Sequence, residues 1–461
     1  MLKGLLAKFH SDSTIGKVIR NVFWAVTGKI ITLFSTLIVG IFVARYLGPE
    51  QYGLMNYVIS IVALFGVLSV FGTSEIIIRE LSKSELPKEV ILGTSFFTRL
   101  GLAGIAFGAI CIYLYLASED VSTSILILIY SLSSIFSCFD VIRFYFTSIV
   151  QNEYVVKSEI LRTLVGAGIK VILLLIEAPL WAFIAALTFD FVLLAGGYIV
   201  AYRKKVARLS TWKFDVNFAK FLLKVSSPLL ISSAAVIIYQ RIDQVMIGKM
   251  LDNESLGYFS TAVSFIGIIT FIPSIVVQTI APILVKIRKE DILRYRREAQ
   301  RMMNITTWAT MIVSIIVSLL SFYIIRYTYG LAYLDAVPVM RILAFKAVGI
   351  ALTTMGGQLI IIENIHQIAF IRNILACFVC VMCNYLLIPR FGIIGSAWAT
   401  IITVMFTGGL ANIFFPRYHH IFKMQCQSLF LGWKDLIYIK QMVDYLKFYL
   451  ILNNGIVSLI I

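Results

Sequence analysis

Residues 31–53 read ITLFSTLIVGIFVARYLGPEQYG. No charge interrupts Ile31 to Ala44. Arg45 then closes the run, and Leu47-Gly48-Pro49-Glu50 supplies turn chemistry, with glycine and proline adjacent. Extended back to Val22, the run admits one charge, Lys29, and reaches the roughly 20 residues an α-helix needs to cross a bilayer. Leu54 begins a second such run, and the figure repeats along the chain. Apolar stretches fall near 22–44, 54–73, 91–116, 122–149, 158–177, 180–201, 222–248, 257–283, 303–327, 337–362, 367–388 and 393–415. About twelve transmembrane helices are expected, and the fold class is all-α and polytopic, because a bilayer leaves backbone groups no partner outside a helix or a closed barrel.

Composition sets the same class. Of 461 residues 60% are hydrophobic and 14% charged, and the mean hydropathy is +0.92, which excludes an ordinary water-soluble domain. The formal charge of +16 would suit a nucleic-acid binder, but the cations gather in short segments between apolar runs. One alternate set of segments carries Lys3, Lys8, Lys17 and Arg20, then Arg79, Lys83 and Lys88, then Arg203, Lys204, Lys205, Arg208 and Lys213, then Lys286, Arg288, Lys289, Arg294, Arg296, Arg297 and Arg301. The opposite set offers Arg45, Lys249, Arg326 and Arg390. The positive-inside rule makes the first set cytoplasmic, and an even number of spans puts both termini on that side. Charges interrupt the first twenty residues, so no cleaved signal peptide is expected. Cys377, Cys380 and Cys383 recur every third residue of an apolar run, as small core residues of a helix do, and no disulfide framework or metal site is read from them.

The chain echoes itself. Arg45-Tyr46-Leu47-Gly48-Pro49-Glu50-Gln51-Tyr52-Gly53 aligns with Lys249-Met250-Leu251-Asp252-Asn253-Glu254-Ser255-Leu256-Gly257, and Ala185, Thr188, Gly196 and Gly197 align with Ala397, Thr400, Gly408 and Gly409. Two six-helix halves of like orientation follow, one of the known transporter plans. The expected organisation is a cytoplasmic amphipathic N-terminus (1–21), an N-terminal lobe (22–201), a basic cytoplasmic linker (202–217), a C-terminal lobe (218–416) and a cytoplasmic or interfacial helical tail (417–461). In that tail Leu436, Ile439, Val443, Leu446 and Leu450 recur at helical spacing against Lys434, Asp435, Lys440 and Asp444.

Cations also sit inside the spans, at Lys29, Arg99, Arg143, Lys170, Arg241 and Lys346. At a helix centre each disfavours insertion by roughly 2.5 to 3.5 kcal/mol, so such residues mark wet interiors and solute paths. A basic path suits an anionic solute. Plainer readings stand beside this one: Arg143 can pair with Asp140 one turn away, or extend its head to the interface. Asp243 and Asp190 are the candidates for binding a coupling proton or sodium ion, and Asp190 is equally suited to be the buried partner of Lys170 or Arg99. Gln240, Asp243 and Gln244 share a helical face that reads as a polar cavity stripe, and Gln278 lies in the next span.

Three stretches carry a family resemblance: Phe42 to Gly53; Asp243-Gln244-Val245-Met246-Ile247-Gly248; and Asn384-Tyr385-Leu386-Leu387-Ile388-Pro389-Arg390-Phe391-Gly392-Ile393-Ile394-Gly395-Ser396-Ala397-Trp398-Ala399-Thr400. The eighth span, with Pro273 and Pro282 flanking Val276-Val277-Gln278, fits as well. These resemble the Wzx-type polysaccharide-unit flippases of the multidrug/oligosaccharidyl-lipid/polysaccharide (MOP) exporter superfamily, over nearly the whole chain to about Pro416. The resemblance implies a MATE-like fold with two lobes around a central cavity. It also implies a transporter, not an enzyme, moving undecaprenyl-pyrophosphate-linked oligosaccharide repeat units of O-antigen, capsule or exopolysaccharide across a bacterial inner membrane. Spans one, two, seven and eight line the cavity in that superfamily, which puts Lys29 and Arg241 first as phosphate contacts, with Arg99, Lys170 and Lys346 behind them. A polysaccharide polymerase or chain-length machinery joins the expected partners without a residue to carry it.

Other classes are weaker. No G-x-x-x-x-G-K-[ST] loop appears, so ATP is not the expected fuel, and no histidine sits near a nucleophile and carboxylate in one span cluster. A drug/cation antiporter of the same superfamily would carry a cavity rich in acid, whereas the charge buried here is net basic. A lipid II flippase would share the basic cavity but usually has fourteen spans.

Overall fold

The computed structural model describes residues 14–365 and 369–438. The start of the expected amphipathic N-terminus and the tail beyond Tyr438 lie outside that set. The main helices are α1 (Thr14–Val70), α2 (Ser74–Lys83), α3 (Lys88–Ala117), α4 (Val121–Ser131), α5 (Asp140–Ser148), α6 (Asn152–Leu175), α7 (Leu180–Lys205), α8 (Val216–Met250), α9 (Asn253–Glu290), α10 (Ile292–Thr328), α11 (Ala336–Leu343), α12 (Lys346–Ile362), α13 (Ala369–Gly408) and α14 (His419–Leu431). Shorter helical turns join several of them.

Nine stretches among the described residues are long and apolar enough to cross a membrane. Two are double. The 53-residue stretch Ile31–Lys83 would make a straight rod of about 80 Å, far beyond a hydrocarbon core of about 30 Å. Gly48, at φ 72°, breaks it beside Pro49. Gly392, at φ 57°, likewise folds Phe370–Gly408 back on itself. A side chain with a Cβ rarely adopts such φ values, so both turns need glycine. The helix α6 is absent from the nine because Glu153, Lys157, Glu159, Arg162 and Lys170 dilute it, yet its 24 residues suffice to span. Nine stretches, two of them double, together with α6, give the twelve spans read from the sequence. Large apolar side chains such as Ile105, Leu319 and Phe378 point outward, the inverse of a soluble domain and suited to lipid.

The contacts divide the chain into two compact units: Met1–Leu47 with Leu54–Ile237, and Gly48–Gly53 with Ile238–Ile461. The division falls within α8 and not at the end of the basic linker. In the first unit Ile76, Ile77, Ile91, Val141, Phe144, Phe146, Tyr198 and Tyr202 form the core. The linker is tied to this core. Trp212 donates its indole N–H to the Tyr202 hydroxyl at 3.2 Å, the Lys213 N–H reaches the Glu89 carbonyl at 3.1 Å, and the Asp215 N–H reaches Thr94 Oγ1 at 2.9 Å.

In the second unit α9, α10, α12 and α14 share a core built on Ile280, Leu284, Met303, Leu352, Met355, Leu359, Tyr418 and Ile421. The two copies of the sequence echo meet here. A Cβ on Gly53 would lie 1.7 Å from the Asn253 carbonyl oxygen, and one on Gly257 would lie 2.0 Å from that of Pro49. Since 49 aligns with 253 and 53 with 257 in the echo, the contact is reciprocal, and glycine is required on both sides.

Candidate functional site

The second unit buries a carboxylate. Asp243, 3% exposed, stands on α8 with its Oδ1 accepting the Gln244 N–H at 2.7 Å and its Oδ2 accepting the Thr400 hydroxyl at 3.3 Å. From Thr400 the polar path continues along α13. The hydroxyl of Thr400 also bonds the Ser396 carbonyl at 3.0 Å, Ser396 Oγ donates to Asn384 Oδ1 at 2.7 Å, and Asn384 Nδ2 donates to the Cys380 carbonyl at 2.9 Å. The Cys380 thiol turns back to the Tyr239 carbonyl on α8 at 3.6 Å. Asn384, Ser396, Thr400 and Gln244 are all buried.

Local chemistry explains this arrangement. The Gly392 turn lays the second half of α13 against the first, bringing Ser396 onto Asn384. Gly395 allows the close approach, because a Cβ there would meet the Leu387 carbonyl at 2.2 Å. Ser396 and Thr400 are one turn apart on one face, so a single helix offers both hydroxyls inward.

Two cations act on this node. Lys346, the first residue of α12, and Arg241, two residues before the acid, both interact electrostatically with Asp243. Both are half-buried, and no Lys346–Asp243 ion pair within 4.0 Å forms among the described residues. A buried carboxylate held by one hydroxyl and one backbone amide, inside the field of two cations, can take up a proton or a small cation and exchange electrostatic work with a nearby anion.

The first unit disposes its charges differently. Lys170 Nζ lies 2.6 Å from Asp190 Oδ2, with the two side chains 16% and 15% exposed. Gly166, one turn before Lys170, makes the room: a Cβ there would sit 2.0 Å from Asp190 Oδ1. Arg143 pairs with Asp140 at 3.8 Å and lies over the Phe144 ring. Arg99 is 1% exposed, stands 5.3 Å from the same ring, and keeps Nε and Nη1 without a hydrogen-bond partner. Lys29 is exposed on α1, one residue after Gly28, whose Cβ would press on Val156.

Of the residues singled out from sequence, the structure therefore gathers Asp243, Gln244, Lys346 and Arg241 around one node. It joins Lys170 to Asp190 and places Arg143 and Arg99 each 5.3 Å from the centroid of the Phe144 ring. Gln240 is exposed and stands apart from the buried pair on its own helix. The side chain of Gln278 lies outside the described set. Asn384 and Ser396 stand out in the sequence only within the family motif, and Thr400 in that motif and in the internal echo; none of this places them at Asp243, for which the i, i+4 spacing of Ser396 and Thr400 is the available signal.

The model of the polysaccharide biosynthesis protein family matches residues 18–288. The capsular polysaccharide biosynthesis protein CapF of Staphylococcus aureus is 23% identical over 399 residues, 82% of this chain and 94% of that protein. Among solved structures, the lipid II flippase MurJ in an inward closed conformation aligns with a TM-score of 0.65 at 16% identity, covering 92% of this chain and 93% of that one. An inward-facing multidrug resistance MATE transporter of the MOP superfamily aligns with a TM-score of 0.63 at 17% identity, covering 86% and 96%. The likeness establishes the fold: this is an all-helical, multi-pass membrane protein with MATE/MurJ-like architecture.

Proposed function

The chain belongs to the polysaccharide biosynthesis protein family, and from that premise and the fold we propose that it is a flippase for undecaprenyl-pyrophosphate-linked oligosaccharide repeat units, working by alternating access between two lobes in a bacterial inner membrane with both termini cytoplasmic. The observation that carries the reading is the buried node of the second unit, where Lys346 and Arg241 act on Asp243. A lipid diphosphate loses its hydration on entering hydrocarbon, and guanidinium and ammonium groups can replace that water with charge-assisted hydrogen bonds. Lys29, Arg241 and Lys346 are the proposed headgroup contacts, with Arg99 and Arg143 as further cations. Asp243 is the proposed coupling carboxylate, taking a proton or sodium ion. The kinship with a protein named for capsular polysaccharide biosynthesis supports capsule units within the substrate class.

The test is leaflet exchange of a fluorescent undecaprenyl-pyrophosphate oligosaccharide in proteoliposomes, with Lys29→Ala and Arg241→Ala beside the wild type. Protein-dependent exchange abolished in folded variants is expected. Export of a cationic dye without lipid exchange would overturn the proposal in favour of a drug antiporter, and exchange of lipid II alone would narrow it to the peptidoglycan precursor.

A further inference from the structure

The junction of α9 and α10 is a rigid elbow. Asp291 is its single non-helical residue. The Asp291 N–H donates to the Ile287 carbonyl at 2.8 Å, and Asp291 Oδ1 accepts from the Leu293 and Arg294 amides at 2.8 and 3.1 Å, so one carboxylate side chain caps α10 while its own amide closes α9. Residues 286–301 carry seven cations, Lys286, Arg288, Lys289, Arg294, Arg296, Arg297 and Arg301, against Glu290, Asp291 and Glu298. Asp291 is committed to the cap, and Glu298 pairs with Arg301 at 3.5 Å. The cations are aimed by packing. Tyr295 and Ala299 bury the inner face of the helix, leaving Arg294, Arg296 and Arg297 exposed beside Lys286 and Lys289 of α9.

Two large apolar residues, Ile292 and Leu293, are exposed at the tip of this basic elbow. Topology alone asks for cations at a cytoplasmic loop; it does not ask for exposed leucine and isoleucine among them. The helix α10 has 37 residues, about 55 Å, so its first turns project beyond a hydrocarbon core of about 30 Å. A second marker lies further along α10. The chain after α13 packs along α10, with Gln300 Nε2 donating to the Met424 carbonyl, Asn304 Nδ2 to Asp435 Oδ2 and Trp308 Nε1 to the Ser428 carbonyl. Exposed Phe430, Leu431 and Trp433 ride on that segment, the last two flanking Gly432, which abuts Trp308 and Asn304. Asn304 lies ten residues from Arg294, about 15 Å along the helix. Exposed aromatic and apolar side chains thus lie about 15 Å along α10 from the guanidinium cluster, on the side of its apolar span. An aromatic belt below a basic rim is the order a membrane surface imposes, and a soluble acidic partner would not need it.

We propose that this elbow is a docking surface for anionic phospholipid headgroups, with Arg294, Arg296, Arg297, Lys286 and Lys289 meeting the phosphates. The proposal stands apart from the transported solute, since none of these residues belongs to the node around Asp243.

The experiment uses the full chain, purified in detergent and titrated with phosphatidylglycerol or phosphatidylcholine, with retained lipid read by native mass spectrometry. Phosphatidylglycerol should be retained preferentially, and salt should abolish the preference. Each neutralised cation should weaken retention roughly fivefold, and the Arg294→Gln, Arg296→Gln, Arg297→Gln triple on the order of a hundredfold, from about 1 kcal/mol per charge. A second variant, Lys286→Gln with Lys289→Gln, guards against a folding defect in the first and should show the same direction. Equal retention of the two lipids, or a preference untouched by both variants, would overturn the proposal. So would salt-sensitive binding of soluble polyglutamate in place of the phospholipid, which would assign the surface to an acidic protein.

Discussion

The ion pair between α6 and α7 lends itself to a quantitative test. Lys170 and Asp190 approach to 2.6 Å with little of either side chain exposed, and Asp190 Oδ1 has no hydrogen-bond partner. Removing one member leaves the other charge stranded in an apolar setting. Breaking a buried pair in this way costs about 3 to 5 kcal/mol, and the residual exposure here places Lys170→Met and Asp190→Leu near the lower figure, about 3 kcal/mol each. The double variant should recover most of the loss, because two apolar groups of similar volume need no mutual charge. A double-mutant cycle on unfolding in detergent should therefore show coupling of more than about 3 kcal/mol, half the summed loss of the singles. Gly166→Ala probes the same contact from a third side: its methyl would occupy the place of Oδ1, so the carboxylate must swing off Lys170, and the variant should resemble Asp190→Asn. The reasoning is refuted if the single variants fall within about 0.5 kcal/mol of the wild type, or if the double variant loses as much as the two singles summed. Leaflet exchange by the folded double variant then decides whether the pair is architecture. A stable double variant that no longer moves lipid would return Lys170 and Asp190 to the headgroup and coupling sites.

Three further outcomes are expected. Asp243→Asn keeps the Thr400 and Gln244 hydrogen bonds but loses the charge, so the purified protein should fold while any pH or sodium dependence of leaflet exchange disappears; an unchanged dependence removes Asp243 from coupling. Gly53→Ala and Gly257→Ala each drive a methyl into backbone and not into a yielding side chain, so each should lower stability by about 1 to 3 kcal/mol, with the pair non-additive because they strain one contact, as read by thermal unfolding. Asp120 caps α4 by accepting the Thr123 N–H at 3.0 Å, and hydrogen bonding from Thr123 holds its carboxyl below the usual range. The cap's contribution, about 1 kcal/mol, is present above the ordinary carboxylate pKa and lost as pH falls through the lowered folded value; Asp120→Ala should flatten that part of an acid unfolding curve.

What was legible in the sequence was whatever local physics enforces. Apolar run length placed the helices, and the Gly-Pro turn at 48–49 and the Pro389 to Gly392 turn divided two rods that would otherwise be too long to fit a bilayer. The fifth span, α6, shows the limit of run length: its five charged residues hide it from an apolarity criterion, and the neighbouring Asp190, only 20 residues on from Lys170, explains one of them. That pairing was accessible because a helical hairpin brings near neighbours in sequence together. The node at Asp243 was not, since its hydroxyl partner lies 157 residues away. Periodicity fixes which residues share a face but not which distant helix that face meets. Gln240 illustrates the same limit: it shares the face of Asp243 by spacing and yet is exposed. The echo of Arg45 to Gly53 in Lys249 to Gly257 escapes this limit for a physical reason. Two copies of one segment that pack against each other reciprocally must each supply a residue without a Cβ at the same place, so a long-range contact leaves a mark at two matching points of the chain, and a glycine aligned with a glycine at Gly53 and Gly257 is that mark.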